Sequence, residues 1–235
     1  MAGRIVYTGG IVTNGLVLNL DAAKRDSYPG SGTVWRDIAG SSVIGTLTNG
    51  PTFSSDNGGN IVFDGTNDFV NIPSFAGVTS LTMECFIKTN DTNFKTFLYG
   101  TSQASSFCPR ISFRSNTINL YFQSVGTGDV IFTFGSINTG TIYHIAYTFD
   151  STSGHNCYLN TVLGTRTSTS TGLNGVPSFT NLTIGQGAGS DGFFSGNFYG
   201  LRIYNRALSL SEITQNYNAL KGRFGLWVLY QVDRM

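Results

Sequence analysis

The most informative stretch of this sequence reads Gly200-Leu-Arg-Ile-Tyr-Asn-Arg-Ala-Leu-Ser209, with Glu212-Ile213 shortly after it. Leu201 and Ile203 occupy alternate positions, which is the pattern of a strand with one buried face. The Asn-Arg-Ala that follows favours a turn. Ser209 and Glu212 then form a capping box, in which the serine hydroxyl accepts from the glutamate N–H and the glutamate side chain reaches back. The stretch therefore predicts a strand, a turn and the start of a helix.

The predicted helix covers residues near 210–220. Ile213, Tyr217 and Leu220 repeat at helical spacing and form one apolar stripe. Gly222 follows the stripe and is predicted to end the helix. No other segment has a helical pattern, so this helix is expected to close a domain made of strands.

Alternating apolar residues recur along the rest of the chain and predict many short strands. These runs cover residues 16–20, 61–63, 81–87, 118–122, 143–149 and 182–184. In the 81–87 run, Met83 and Cys85 share one face, whereas Thr82 and Glu84 point to the other. Short strands separated by Gly, Asn, Asp and Ser at such spacing favour an all-β sandwich or barrel.

Composition excludes several classes of function. Charged residues make up 11% of the chain and the net charge is +1, so a nucleic-acid partner, which needs a basic surface, is not expected. No apolar run reaches the roughly 18 residues of a membrane span, and the glycine-broken start of the chain predicts no signal peptide.

The three cysteines are expected to be buried free thiols, which suits folding in a reducing cytoplasm.

Three segments are predicted: an N-terminal arm at 1–14, a sandwich domain at 15–225 and an apolar tail at 226–235. The tail has two interpretations, an extra strand on the same sheet or a strand donated to a neighbouring subunit. Under the second interpretation Trp227, Leu229 and Tyr230 are candidate assembly residues.

Four stretches resemble the laminin-G-like, concanavalin A-like lectin/glucanase superfamily. They are Gly15-Leu-Val-Leu-Asn-Leu-Asp-Ala22, Ile61-Val-Phe-Asp-Gly-Thr-Asn-Asp-Phe-Val-Asn-Ile-Pro73, Tyr143-His-Ile-Ala-Tyr-Thr-Phe-Asp150 with Cys157-Tyr-Leu-Asn-Thr-Val-Leu-Gly164, and the strand–turn–helix stretch that ends at Ile213. The resemblance implies a jelly-roll sandwich of two antiparallel sheets. A domain that begins with Gly15-Leu-Val-Leu-Asn-Leu-Asp-Ala22 and ends with Asn218-Ala-Leu-Lys-Gly-Arg-Phe-Gly225 resembles those in virion structural proteins of tailed phages. This resemblance implies a chain that is made in the host cytoplasm and carried in the virion.

Enzyme activity is not expected. A glycoside hydrolase needs two carboxylates across the scissile bond, but the chain has only two glutamates, and Glu212 is used by the cap. Glu84 has no acidic residue two positions away on its strand. His144 is predicted to be a packed structural residue and His155 to be exposed in a turn, and neither lies in a catalytic motif.

A calcium site is the metal possibility. Asp64, Asn67 and Asp68 supply a cluster of the hard oxygen ligands that Ca²⁺ prefers, and related folds often hold this ion. The alternative interpretation is turn chemistry, in which these side chains bond their own backbone.

Sugar binding would use exposed aromatic rings. The candidates are Phe193, Phe194, Tyr121 and Tyr199, whereas Trp35 is predicted to pack in the core. The sequence thus predicts a non-enzymatic virion structural or adhesion subunit, a capsid decoration, head-fibre or tail-associated protein, which contacts other virion proteins, its own copies or glycans. The alternatives are a carbohydrate-binding module for host-cell glycans and, more remotely, a glycoside hydrolase.

Overall fold

The computed structural model describes residues 9–73, 80–91, 95–101, 108–114, 117–123, 131–167, 181–187 and 192–226. For residues 101, 108, 109, 114 and 117–123 it describes the backbone alone. No helix in these ranges has the length and apolar character needed to span a membrane.

The first sheet has eight strands, in which β17 is central. They are β1 (Leu16–Asp21), β4 (Thr52–Ser54), β5 (Asn60–Asp64), β7 (Leu81–Thr89), β12 (Ile142–Asp150), β13 (Gly154–Leu159), β14 (Val162–Leu163) and β17 (Ser195–Tyr204). Their order is β14-β13-β12-β7-β17-β5-β4, and β1 pairs with the second half of β17. All of these pairings are antiparallel.

The second sheet has seven strands and lies against the first. They are β2 (Val34–Arg36), β3 (Ile44–Thr48), β6 (Phe69–Pro73), β8 (Lys95–Thr101), β9 (Cys108–Arg114), β10 (Thr117–Gln123) and β16 (Asn181–Ile184). Their order is β10-β9-β8-β16-β6-β3-β2. A separate pair, β11 (Phe132–Thr133) with β15 (Thr165–Arg166), completes the strands of the described ranges. The predicted two-sheet antiparallel sandwich is confirmed.

The core lies between the inner faces of the two sheets, as the alternating pattern predicts. Met83 and Cys85 of β7 face Phe97 and Phe113 of the second sheet within one continuous apolar cluster. Trp35 belongs to this cluster and is fully buried. Cys85 and Cys157 are both buried free thiols, and the Cys108 side chain lies outside the described atoms.

One α-helix, α1 (Leu210–Lys221), follows β17 and confirms the capping-box prediction. The Ser209 hydroxyl accepts from the Glu212 N–H at 3.3 Å, and the Ser209 N–H donates to Glu212 Oε2 at 2.9 Å. Arg206 adds two hydrogen bonds to the same carboxylate, at 3.0 and 2.6 Å. The Glu212 carboxylate therefore fixes both the turn before the helix and the first turn of the helix.

The α-helix ends at Lys221 with Gly222 as its C-cap, which confirms the predicted end, but the conformation there is not the usual left-handed one. Gly222 follows α1 in a right-handed conformation, with φ −62°, and opens a further 3-10 turn over Gly222–Phe224. Gly225, at φ +66°, is the residue that takes the left-handed conformation. The chain continues past Gly222 because Phe224 is buried there against Phe86 and Tyr199, and that burial favours one more turn.

The helix covers the outer face of the first sheet, so β7 is buried on both faces. Residues 10–14 cross the same face. Val12 is buried there, and its N–H donates to Asn216 Oδ1 at 2.7 Å. Gln215 Nε2 donates to the Gly10 carbonyl at 2.9 Å. The last part of the predicted N-terminal arm is thus packed on the helix, whereas residues 1–8 lie outside the described ranges.

Candidate functional site

A buried polar network joins the helix to the first sheet. It consists of Glu84 on β7, His144 on β12, Arg202 on β17 and Asn216 on α1. Glu84 Oε1 accepts from Arg202 at 3.1 Å and lies 2.9 Å from His144 Nε2, while Oε2 accepts from Asn216 at 2.7 Å. The pairing sets Arg202 directly opposite Glu84, because β7 and β17 are neighbours. The carboxylate therefore has three partners from three different elements.

The network holds Glu84 in its ionised form. Burial alone raises the pKa of this carboxyl, but the Arg202 charge and the contacts with His144 and Asn216 outweigh it and hold the pKa at about 2. Glu84 is 1% exposed. A general acid of a glycosidase needs the opposite arrangement, a raised pKa and access to substrate. The network is therefore suited to holding the helix on the sheet.

Of the predictions for the two histidines, one is confirmed and one is wrong. His144 is fully buried in the network, so its prediction as a packed residue is confirmed. His155 was expected to be exposed, and this is wrong, because it is 3% exposed. It lies on β13, its Nδ1 is 2.7 Å from the Tyr147 hydroxyl, and its ring packs on Phe149 at 4.6 Å. The turn sequence does not reveal that His155, the second residue of β13, faces the core.

The predicted calcium residues lie together in the turn between β5 and β6. Asp64 Oδ1 accepts from the Thr66 N–H at 2.7 Å, and Asp68 Oδ2 accepts from the Asp64 N–H at 3.1 Å. The Asn67 carbonyl accepts from Asn49 Nδ2 at 3.0 Å. Burial raises the pKa of Asp68. These bonds are the turn chemistry of the alternative interpretation.

Calcium binding at this turn stays a prediction. Among the residues with described positions, no group of three His, Cys, Asp or Glu side chains is arranged to hold a metal ion. Asp64 and Asp68 would supply the charge of a Ca²⁺ site, with amide and carbonyl oxygens completing it.

Two of the four candidate sugar-binding rings are buried, so the prediction of exposed rings is wrong for them. Phe194 is 0% exposed and packs on Phe63 and Phe97, with ring centroids 6.0 and 6.1 Å away. Tyr199 is 1% exposed and meets Phe224 edge to face at 4.9 Å. Phe194, just before β17, belongs to the core between the sheets, whereas Tyr199 on β17 packs with Phe86 and Phe224 on the other side of the first sheet.

The other ring candidates are not contradicted. Phe193 is half-buried in the loop between β16 and β17 and pairs with Gln186 through an isolated bridge. Tyr121 lies on β10, but its side chain is outside the described atoms. The candidate assembly residues Trp227, Leu229 and Tyr230 also lie outside the described residues, and their role stays a prediction.

The strand register reveals a site that the sequence pattern did not. A line of directly paired residues crosses the second sheet, and we name it the cross-strand row. It consists of Thr46 on β3, Asn71 on β6, Thr183 on β16, Tyr99 on β8 and Arg110 on β9. Val34 and Tyr121 take the next positions at its two ends.

The cross-strand row faces outward. Directly paired residues share one face of a sheet, and the residues adjacent to the row along the strands, such as Leu47, Ile72 and Ile111, belong to the core. Thr46 is exposed, and Asn71, Tyr99 and Arg110 are half-exposed. Thr183 is 9% exposed and Arg110 Nε is buried, so Thr46, Asn71 and Tyr99 are the side chains that the row presents most openly.

Thr183 anchors a loop at the centre of the cross-strand row. Its hydroxyl lies 2.9 Å from the Gln186 carbonyl and 3.2 Å from the Tyr99 carbonyl. Gln186 pairs with Phe193, so the loop that carries this half-buried ring begins beside the row. A small side chain at Thr183 leaves Asn71 and Tyr99 as the prominent groups on either side.

A family model described as the concanavalin A-like lectin/glucanases superfamily matches residues 64–214. The chain belongs to this superfamily. The matched region holds more than half of the sequence, including β7, β12, β17 and the cap of α1. No curated protein sequence matches the chain.

Solved structures show the same fold at low sequence identity. The botulinum neurotoxin type G receptor binding domain has a TM-score of 0.66 and 15% identity, over 87% of this chain and 51% of that one. The botulinum neurotoxin serotype D ligand binding domain in complex with N-acetylneuraminic acid has 0.69 and 13%, over 88% and 51%. Trypanosoma rangeli sialidase has 0.65 and 16%, over 89% and 33%. The chain thus spans about half of each toxin domain and a third of the sialidase.

Proposed function

We propose that this chain is a non-enzymatic adhesion domain that binds glycans on the cross-strand row. The observation that carries the proposal is the composition and placement of the row itself. Thr46 and Asn71 are direct neighbours on the outward face of the second sheet, and Tyr99 lies on the same line beyond Thr183. The opposite outward face, on the first sheet, is closed by α1 and residues 10–14.

The chemistry of the row suits sugars. An aromatic ring offers an apolar face for the C–H groups of a pyranose, and its hydroxyl offers a polar end. Asn and Thr side chains both donate and accept hydrogen bonds, as sugar hydroxyls do. The strands hold these groups on a rigid scaffold, which lowers the entropy lost on binding.

The similar toxin structures support the proposal in a general way. One carries the words receptor binding domain in its title, and another is a complex with N-acetylneuraminic acid. At such low identity they share the fold alone, so the residues proposed here come from this chain.

The non-enzymatic part of the proposal rests on Glu84 and Glu212. Glu84 lies beneath α1 in three hydrogen bonds. The hydrogen bonds from Arg206, with those from Ser209, hold the pKa of Glu212 at about 2 despite the opposing effect of burial. Neither glutamate is placed as a protonated acid. We therefore expect neither the wild type nor Glu84→Gln to hydrolyse a glycoside. Turnover of a glycoside by the wild type would contradict this.

A glycan array with immobilised, purified protein tests the proposal. We expect binding of a defined set of glycans. Asn71→Ala and Tyr99→Ala should each weaken it about five-fold or more, because each removes a stacking face or a hydrogen bond worth about 1 kcal/mol or more. Thr52→Ala is the matched control, because Thr52 is an exposed strand residue on the other sheet. The array is run with and without Ca²⁺, and absence of binding in both would refute the proposal.

A role in assembly is the second candidate function, and one observation favours it. Val162 and Leu163 are 67% and 54% exposed on β14, the edge strand of the first sheet. Exposed apolar residues on a sheet edge are a pairing surface for another chain. The narrower proposal, a subunit of a phage virion, is supported by the sequence resemblance and the low charge content.

Light scattering and particle analysis test the assembly role. We expect an oligomer that Val162→Lys with Leu163→Lys converts to monomer, while the exposed pair Thr165→Lys with Thr167→Lys does not. A wild-type chain that stays monomeric at all concentrations would overturn self-assembly.

Mass spectrometry of purified phage particles tests the virion proposal, since the chain must be found in them.

A further inference from the structure

We infer that a small cavity under the C-terminal end of α1 is a binding site for one water molecule, held between Arg202 and Asp21. The water accepts a hydrogen bond from Arg202 Nε and donates one to the Asp21 carboxylate. It thereby joins two ion pairs that hold the helix on the first sheet. The site lies on the other sheet from the cross-strand row, so it is independent of the proposed glycan function.

The first observation is the cavity itself, which has a volume of about 10 Å³. Gly200 on β17 lies at its floor, directly paired with Asp21 on one side and Phe86 on the other, and supplies no side chain to fill it. Leu220 and Phe224 line it from the helix and the turn that follows. A space of about 10–15 Å³ holds one water molecule when two or more polar groups reach it.

The second observation is a donor at the cavity wall. Arg202 lines the cavity and is 3% exposed. Its Nη2 donates to Glu84 Oε1 at 3.1 Å, but within the described ranges no acceptor is in hydrogen-bond reach of its buried Nε. A buried donor that lacks an acceptor destabilises the folded chain, so an acceptor molecule in the adjoining cavity is favoured.

The third observation is an acceptor on another side of the same cavity. Asp21 receives hydrogen bonds from Arg223 Nη1 at 2.8 Å and from the Ala23 N–H at 3.0 Å, and both go to Oδ1. A carboxylate can accept about four hydrogen bonds, so Oδ2 can accept another. Burial lowers the pKa of Arg202, but the charges of Glu84 and Asp21 raise it overall, which places Asp21 close to this guanidinium.

The charges around the cavity favour water over an ion. Arg202 faces Glu84, and Arg223 faces Asp21, so each guanidinium already has its own carboxylate. The other donors of Arg223 go to two backbone carbonyls. With the charges balanced, the occupant must be neutral, and it must accept from one side and donate to the other. Water does both, and the volume admits no larger molecule.

Nuclear magnetic resonance of the ¹⁵N-labelled protein tests the site directly. Arg202→Lys, which lacks Nε, identifies the Arg202 Nε–H signal by its loss. We expect that proton to show a cross-peak to water with the sign of protein–protein cross-peaks, since a held water tumbles with the protein. Arg36, exposed on β2, is the internal reference and should show exchange with bulk water alone. A missing water cross-peak at Arg202, or one like that of Arg36, overturns the inference.

A high-resolution crystal structure gives a second measurement. We expect density for one water about 3 Å from Arg202 Nε and from an Asp21 oxygen. Crystals grown in sodium bromide test the charge argument, because bromide gives an anomalous signal. A bromide peak in the cavity overturns the inference, as does a protein acceptor in hydrogen-bond contact with Nε.

A double-mutant cycle tests whether the water joins the two ion pairs. Arg202→Lys removes the donor, and Asp21→Asn removes the charge of the acceptor. We expect the unfolding equilibrium constant of the double variant to differ about three-fold or more from the product of the single effects. Arg206→Lys with Asp21→Asn is the control, because Arg206 pairs with Glu212 at the other end of the helix, and its effects should multiply. Equal behaviour of the two cycles overturns the joining role.

Discussion

Glu84→Gln is the sharpest test of how the helix is held on the first sheet. The substitution keeps the shape of the side chain but removes the charge that faces Arg202. It also replaces one acceptor oxygen with a donor NH₂ group. The described partners of Glu84 are the N–H donors of Arg202 and Asn216 and a ring nitrogen of His144, so the new donor has no acceptor among Arg202 and Asn216. Arg202 is 3% exposed, so the variant leaves a buried guanidinium without its carboxylate.

The size of the effect follows from the pKa of the carboxyl. The fall from 4.5 to about 2 corresponds to about 3 kcal/mol, at roughly 1.4 kcal/mol for each tenfold change in acidity. Breaking one partner of a buried ion pair typically costs about 3–5 kcal/mol. We therefore expect a loss of about 3–4 kcal/mol in the free energy of unfolding at pH 7.

The effect should depend on pH in one direction. Because the pKa of Glu84 is lower in the folded protein than in the unfolded chain, its contribution is complete above about pH 4.5. It is lost as the pH falls towards 2, where the wild-type carboxyl also takes up a proton. The stability difference between wild type and variant should therefore shrink across this window.

Urea unfolding followed by circular dichroism measures this difference at pH 7 and at about pH 2.5. Glu212→Gln is the matched control, since Gln also serves in a capping box and the Arg206 pair is partly exposed. We expect the control to lose about 1 kcal/mol or less. A Glu84→Gln loss no larger than the control, or one that is the same at both pH values, would refute the reasoning.

Three further substitutions test local features of the fold. Thr161, a β-branched residue at φ +72°, should be strained, so Thr161→Gly is expected to raise stability by about 1 kcal/mol and the melting temperature by about 2–4 °C; an unchanged melting curve would contradict this. Gly59→Ala would put a Cβ 2.4 Å from the Ala22 carbonyl oxygen at φ +137°, and we expect a loss of more than about 2 kcal/mol in chemical denaturation, with a near-neutral result as the contrary outcome. Ser209→Ala removes the helix cap and should cost about 1 kcal/mol in the free energy of unfolding, visible as a lower denaturation midpoint. Ser211→Ala, two residues further along, should cost much less.

The sequence predicted the elements well because their signals are local. The alternation in β7 and β12 and the capping box at Ser209 each lie within a few residues, and the structure confirms all three. Alternation placed Glu84 on the face of β7 opposite Met83 and Cys85, but it did not show what lies against that face. The helix α1 covers it, and this covering element lies more than a hundred residues away in the sequence.

The candidate site was harder to predict, since it depends on register. Thr46, Asn71 and Tyr99 come from strands that are neighbours in the sheet but distant in the sequence. No periodic pattern within one strand shows which residue of another strand lies opposite. The position of Phe194 was also hard to predict. A ring in a glycine-rich loop is expected to be exposed, and only the placement of the surrounding strands shows that it is buried.

The bonds between residues 10–14 and the last helix also have a consequence for how the chain folds. Val12 and Asn216 are separated by 204 positions, and Gly10 and Gln215 by 205. Contacts of such separation are slow to form. During synthesis Gly10 and Val12 must wait until Gln215 and Asn216 have emerged, so the closing of this face should be among the last events in the folding of this domain.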